Sequence, residues 1–504
     1  EARLTESALA RLFFRIRLPR GVEMKDLDPA ALEQRLVKAA RSWSEGISEV
    51  VRAEYGSDAE RLAGLWAEAF PENYRVGYEV EDALEDIARF EARLAAPDSA
   101  PELFVYVPER TGVTGDEDAR LKLYLLEPRS LTQLLPTLHN LGLEVLDERP
   151  YEIRRGDGTT VFLYDLGLKY PAGMDPVKTG SLLAEAFRAG MSGASESDYF
   201  DRLILEQGLS WRQVVILRSY AKYMRQLGNT NSYGFVAGTL RRNPDVARAL
   251  VALFEARFDP DLSGEERPAA EESARAALDS GLEQVPTLDA DRVLRTIANL
   301  INSTLRTNFY QDKPYVSFKL NTAAIEGAPF PRPKYEVWVY SPRVEGVHLR
   351  FGEVARGGLR WSDRREDFRT EILGLVKAQT VKNAVIVPTG AKGGFYAKQL
   401  PDPAADRAAW MEEGKESYRT FIRALLDITD NLVLSEDGEE RVVPPQRVVR
   451  HDGDDSYLVV AADKGTASFS DIANELSAEY GFWLGDAFAS GGSVGYDHKA
   501  MGIT

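Results

Sequence analysis

The sequence predicts a multidomain chain of mixed α/β and α+β type: a ferredoxin-like module, a helical region, and then an α/β domain. Three observations carry this. Its 504 residues suffice for about three domains at ~150 residues each. The texture changes along the chain, from a strand–helix–strand–strand order at 101–172 to helical spacing almost throughout 173–312. From 313 onward, continuous apolar strands alternate with helices, the pattern of a sheet covered on both faces. At 44% hydrophobic and 28% charged residues the composition is that of a globular protein, and no stretch approaches the ~18 apolar residues of a membrane span.

In the first region, 1–100, the alternating large apolar and basic residues of 11–19 read as a strand. Leu32, Leu36, Ala39, Trp43, Ile47 and Val51 recur at i, i+3 or i+4 and predict a helix over 29–54. Helices over 59–70 and 82–94, a short strand over 74–78 and a linker with Pro97 and Pro101 complete it. In 101–172, a strand over 121–126 precedes a helix over 131–141, with Ser130 as N-cap and Gly142 as stop. Strands over 143–153 and 161–168 follow, joined by the tight turn Gly156-Asp157-Gly158. That order is the core of a ferredoxin-like unit. It resembles an ACT-type regulatory module, a resemblance that implies amino-acid binding; a purely architectural role fits the same order. Helices over 182–189, 199–206, 211–227, 230–243, 244–258, 271–277 and 290–310 fill 173–312. The last domain, 313–504, has strands over 315–320, 335–340, 347–351, 384–387 and 457–462. Its helices run over 369–383, 404–431 and 470–479.

Charge and cysteine content exclude several function classes. The net charge of −17 argues against nucleic-acid or anionic-membrane binding over the whole surface. Residues 350–400 nevertheless hold ten Lys or Arg against five Asp or Glu, a local +5. An anion is the natural guest there, and a solvated basic face is the bland alternative. With no cysteine, disulfides, thiolate nucleophiles, iron–sulfur clusters and Cys-based zinc sites are ruled out, and no metal site is expected. The composition fits a cytoplasmic protein. The chain starts without Met and stops inside a glycine-rich stretch, so an internal piece of a longer polypeptide is expected.

Four features fall in or beside the basic segment: Ala355-Arg356-Gly357-Gly358-Leu359-Arg360-Trp361-Ser362, Lys377 with Lys382, Pro388-Thr389-Gly390-Ala391-Lys392-Gly393-Gly394, and Asp463-Lys464-Gly465-Thr466. Lys392 follows the apolar run 384–387, which places it at a strand's carboxyl end, where open α/β sheets bind ligands. Gly390, Gly393 and Gly394 let a ligand approach the backbone. A lysine in a partly closed site can polarise a carbonyl; a loop lysine in solvent is the alternative. Asp463 ends a second apolar strand and can relay protons, or cap a turn. Arg356 and Lys382 supply a bidentate fork and a point charge for carboxylates, although Arg356 could equally brace the Gly-Gly turn. Together they describe a pocket for a small dicarboxylate with a reacting carbonyl or amine.

The order R-G-G-x-R, V-K-N-A, P-T-G-A-K-G-G, A-A-D-K-G-T and G-G-S-V-G with A-M-G resembles the substrate domain of glutamate dehydrogenases, most of all the large, long-chain NAD-dependent class, over about 340–504. The resemblance implies an α/β substrate domain of the amino-acid dehydrogenase type. Lys392 then polarises the 2-oxo group and activates water, Asp463 exchanges a proton with the substrate nitrogen, and Lys382 holds the α-carboxylate. Arg356 stands where small-class enzymes have the lysine that grips the side-chain carboxylate, with Arg360 as its rival. The resemblance also implies NAD, a homo-oligomer (a tetramer) and an amino-acid effector. The Gly-x-Gly-x-x-Gly fingerprint of a Rossmann domain does not occur in these residues, so the main NAD-binding domain is expected beyond Thr504. The competing reading is a regulatory and oligomerisation fragment that senses an amino acid without turnover. A dehydrogenase for apolar amino acids is disfavoured, because it needs no second cationic anchor.

Overall fold

The computed structural model describes residues 28–31, 33, 41–97, 101–108, 117–379, 389–435 and 438–493. The chain divides into two compact units, the described parts of 1–99, 124–128 and 149–164 forming one and the remainder the other. The expected strand over 11–19, most of the helix turns over 32–40 and the strand over 384–387 lie outside the described residues.

In the smaller unit, helix Trp43–Tyr55 opens with a capping box: Ser42 accepts from the Glu45 amide and Glu45 accepts from that of Ser42. Helices Ala59–Trp66, Glu72–Gly77 and Val80–Ala95 follow. The strand expected over 74–78 is therefore helix. Tyr74 and Tyr78, four residues apart, stack with ring centroids 4.5 Å apart. An alternating aromatic run this short fits either period, and packing decides it.

The ferredoxin-like module contains β1 (Glu102–Tyr106), β2 (Ala119–Leu125), β3 (Glu144–Arg154) and β4 (Thr160–Lys169), in the sheet order β1-β2-β4-β3. Its helix, Leu131–Asn140, starts at Ser130 in a capping box with Gln133, and Gly142 follows with φ +92°. The larger unit continues with the helices Pro176–Met191, Trp211–Gln226, Tyr233–Arg242, Pro244–Phe258, Glu266–Leu282 and Leu288–Ser303. The last was expected to reach 310. It stops at Ser303 because Thr304–Thr307 (β5) pairs with β6 (Val316–Asn321).

An eight-stranded sheet then organises everything near the basic segment. Its order is β14-β13-β9-β10-β8-β7-β6-β5, with β7 at Tyr335–Tyr340, β8 at Val344–Arg350, β9 at Gly357–Trp361, β10 at Ala391–Ala397, β13 at Val460–Ala462 and β14 at Ala489–Ser490; a separate hairpin, β11 (Asn431–Leu434) with β12 (Glu440–Val443), lies between β10 and β13 in the chain. From β14 to β10 the neighbours run parallel, and from β10 to β5 antiparallel. Helix Phe368–Gln379 covers one face, since a Cβ on Gly394 would meet Ile372 at 2.4 Å. Helix Arg407–Leu426 covers the other, since a Cβ on Gly346 would meet Phe421 at 2.4 Å. Phe395, Leu359, Phe421, Tyr418 and Phe469 share the core beneath that second helix. The helix expected over 369–383 is described to Gln379 only.

Lys392 was expected just after a strand. It is instead the second residue of β10. Glycines are depleted in strand interiors, so A-K-G-G-F-Y-A reads as a loop. Here a Cβ at Gly393 would lie 2.4 Å from Leu359 and 2.9 Å from His348, so the glycines of β10 are packing positions within a strand.

Candidate active site

The parallel register sets Gly393 beside Leu359 and Gly394 beside Arg360, and Ala461 and Ala462 beside Gly358 and Leu359. Directly paired residues share a face and successive ones alternate. Lys392, Arg356, Arg360 and Asp463 therefore belong to one face, the face under helix Phe368–Gln379. The sequence spreads these four over more than a hundred residues, and the register of three strands brings them together.

Lys392 is 6% exposed, and its ammonium forms an ion pair with the Asp463 carboxylate through Oδ2. Asp463 Oδ1 accepts from the Lys464 amide at 2.7 Å and from Arg360 Nη2 at 3.4 Å. Arg360 Nη1 donates to Glu371 Oε1 at 2.9 Å, and the Ser362 hydroxyl donates to Glu371 Oε2 at 2.6 Å. Burial pushes the Asp463 carboxyl up, but Lys392, the Lys464 amide and Arg360 outweigh it and hold the group below its usual 3.8. The turn that carries Asp463 is pinned to β9. The Thr466 hydroxyl donates to Leu359 O at 2.7 Å and accepts from the Asp463 amide at 3.0 Å, while the Trp361 amide donates to Lys464 O at 3.2 Å. Gly465, at φ +85°, closes this turn against Trp361.

The remaining sequence candidates divide. Arg356 is exposed, and its side chain makes no ion pair or hydrogen bond among the described residues; its backbone carbonyl accepts from the Ala391 amide at 3.0 Å. Gly390 bridges to Arg356 through backbone only. Gly393 and Gly394 have the packing duties given above. Lys382 lies outside the described residues. Glu371, Ser362 and Thr466 were not singled out from sequence. An acid in the first turn of a helix is ordinary, so nothing distinguished Glu371 before the register was known. Among the described residues, no group of three or more His, Asp or Glu could hold a metal ion, and no helix is long and apolar enough to cross a membrane.

Chemically, this face holds a nearly buried ammonium against a carboxylate of low proton affinity, a second cation already bound to two carboxylates, and a guanidinium with no partner among the described residues. That set can bind an anion, polarise a carbonyl and pass a proton.

Comparisons with known proteins point to one enzyme family. Glutamate dehydrogenase domain families match in succession: the ACT2 domain at 1–44, helical motif 2 at 50–92, the ACT3 domain at 102–180, helical motif 3 at 195–260, and the catalytic domain of bacterial NAD-glutamate dehydrogenase at 277–504. The chain is 47% identical over 512 residues to the NAD-specific glutamate dehydrogenase of Pseudomonas aeruginosa, and 46% identical over 533 residues to that of Mycobacterium tuberculosis. These alignments cover 99% and 100% of this chain but 31% and 32% of those proteins, so the chain spans about a third of their length. A protein of the same name from Neurospora crassa is 26% identical over 313 residues, 58% of this chain and 28% of its own. With five domain matches to one enzyme and near-half identity along its whole length, the chain belongs to the bacterial NAD-glutamate dehydrogenase family.

Proposed function

We propose that the enzyme containing this chain interconverts L-glutamate and 2-oxoglutarate plus ammonia with NAD as hydride acceptor, and that this chain supplies the substrate half of the active site. The observation that carries the reading is the Lys392–Asp463 ion pair on the same sheet face as Arg356, which is unpaired among the described residues. In the direction of deamination, Asp463 takes a proton from the substrate ammonium. Lys392 then donates a hydrogen bond to the oxygen that forms at C2, and stabilises negative charge there as water adds and ammonia leaves. Arg356 receives the side-chain carboxylate; Arg360 is less available, because Glu371 and Asp463 already engage it. Lys382 is assigned the α-carboxylate by resemblance alone.

NAD would supply the acceptor for the hydride that leaves C2. The described residues do not fit a dinucleotide cradle, since no Gly-x-Gly-x-x-Gly turn follows any described strand. Its main domain is assigned beyond Thr504. The amino-acid dehydrogenase type of substrate domain, a homotetramer, an effector at the ACT-type module and a cytoplasmic location belong to the same reading. The test is glutamate-dependent NADH formation by the full-length protein, wild type against Lys392→Ala. Activity in the wild type that disappears in the variant supports the reading. An inactive wild type, or an active variant, overturns it.

A further inference from the structure

We infer that Glu371 is a positioning residue, which acts through Arg360 to keep the Lys392–Asp463 pair intact. The inference rests on the reading of that pair given above. It goes beyond that reading in giving Arg360 an internal duty, and in adding a residue that makes no hydrogen bond or ion pair with Lys392 or Asp463 among the described residues.

The geometry runs as a chain. The Ser362 amide donates to Phe395 O at 2.9 Å, which fixes Ser362 between β9 and β10. Its hydroxyl fixes Glu371 Oε2, leaving Oε1 for Arg360 Nη1 at 2.9 Å. The other arm of the guanidinium reaches Asp463 Oδ1 only at 3.4 Å. Arg360 thus sits between two carboxylates, tight on Glu371 and loose on Asp463. All three side chains are mostly buried, at 19%, 17% and 16% exposure, so the competition is weakly screened. A guanidinium prefers a bidentate carboxylate. With Glu371 neutral, Arg360 has one carboxylate left, Asp463, and closing on it displaces Lys392. The acid on the helix therefore holds Arg360 back from Asp463.

The experiment is a double-mutant cycle with Glu371→Gln, Arg360→Met and both together. Two readouts are taken. The first is the rate at which a small amine-reactive reagent labels Lys392 in this chain at one fixed pH, measured by peptide mass spectrometry. The second is kcat and KM for glutamate in the full-length protein. Glu371→Gln should label Lys392 several-fold faster and lower kcat by about ten- to a hundred-fold, the scale of a misplaced reacting group, with KM little changed. Adding Glu371→Gln to Arg360→Met should change neither quantity, because the residue it acts through is gone. Ser362→Ala, which removes only the hydroxyl steadying Glu371, should move both readouts the same way by less, and carries the test should Glu371→Gln fail to fold. Unchanged labelling in Glu371→Gln and Ser362→Ala, or an effect of Glu371→Gln that survives in the Arg360→Met background, overturns the inference. The labelling readout needs no turnover. A wild type without glutamate-dependent NADH formation whose labelling cycle behaves as stated would refute the proposed reaction and leave the positioning role standing.

Discussion

Replacing each of the two arginines of R-G-G-L-R with methionine separates a substrate anchor from a structural one. Arg356 is exposed and unpaired among the described residues, so Arg356→Met should alter folding stability by no more than about 0.5 kcal/mol, the usual range for a surface change. Arg360 is bound to Glu371 and Asp463, whose side chains are only 17% and 16% exposed. Arg360→Met takes the cation from Glu371, which keeps only the Ser362 hydroxyl, while Asp463 keeps Lys392; it should cost on the order of 1–3 kcal/mol, the scale of a charged group that loses its ionic partner. Catalysis should show the reverse order. If Arg356 grips the side-chain carboxylate, its loss should cost roughly 2–5 kcal/mol of substrate recognition, or about thirty-fold to a few thousand-fold in kcat/KM. That loss should be carried mainly by KM, with little change for an apolar substrate such as norvaline. Arg356→Lys should already be harmful, since a point charge replaces a two-donor fork. Urea denaturation of this chain and steady-state kinetics of the full-length protein give the two halves. The reasoning fails if Arg360→Met leaves stability untouched and raises KM for glutamate, while Arg356→Met is silent in both assays.

Lys392→Ala should abolish turnover while glutamate binding, measured by calorimetry, weakens far less, because its interaction strengthens in the transition state; kcat within a few-fold of wild type would exclude the role. Asp463→Asn should cut kcat severely with the fold retained by circular dichroism. Because the Asp463 pKa is depressed in the folded chain, its stabilisation is present above the usual 3.8 and fades as pH falls, so the stability gap between wild type and Asp463→Asn should narrow below that value. His348 is pushed by burial, and then by Arg350, down to about 3 from 6.5, and neither ring nitrogen has a hydrogen-bond partner among the described residues. Below pH 6.5 only the unfolded chain takes up that proton, so stability should fall with pH; between pH 7 and pH 5 His348→Leu should lose up to ~2 kcal/mol less than wild type in urea titrations.

Helix content was the most legible part of the fold. Pro244–Phe258 and Ser470–Glu479 fall where their apolar spacing and Pro244 place them. Two of the three strands that build the site, β9 and β10, were not legible. Gly357-Gly358 in β9 and Gly393-Gly394 in β10 read as turns, since glycine weakens a strand and offers nothing to pack. The structure requires glycine there for contact: a Cβ at Gly357 would lie 1.5 Å from Ala391 O. Nearby, Trp361 stacks on Trp410 with centroids 4.6 Å apart, and a Cβ on Gly414 would lie 2.1 Å from its indole. No local pattern announces such long-range fits. Lys392 and Asp463 could be singled out as candidates because their motifs could, and the structure pairs them, whereas Glu371 emerged only from strand register and helix placement.

The register also explains why the second glycine of R-G-G-L-R belongs with the chemistry. Extending the pairing by one residue sets Lys392 level with Gly358, and Asp463 level with Arg360. Lys392 and Asp463 stand on strands flanking β9, two strand spacings apart across the sheet and two residues apart along it, so their backbones are ~12 Å apart. A lysine's four-carbon stem crosses that distance only if the middle strand presents no side chain at its level. Position 358 meets this condition. It must also let β13 close, since a Cβ there would lie 2.7 Å from Ala462 O. A side chain at 358 would press on the backbone of Ala461 and Ala462, the residues that lead into Asp463. The segment shares one face: the Arg356 guanidinium has no partner among the described residues, Gly358 packs against β13, and Arg360 pairs with Glu371 and Asp463. Within a chain of net −17, Lys392, Arg360 and Arg356 are grouped on this face around Asp463 and Glu371, and it is this grouping that an anion would meet.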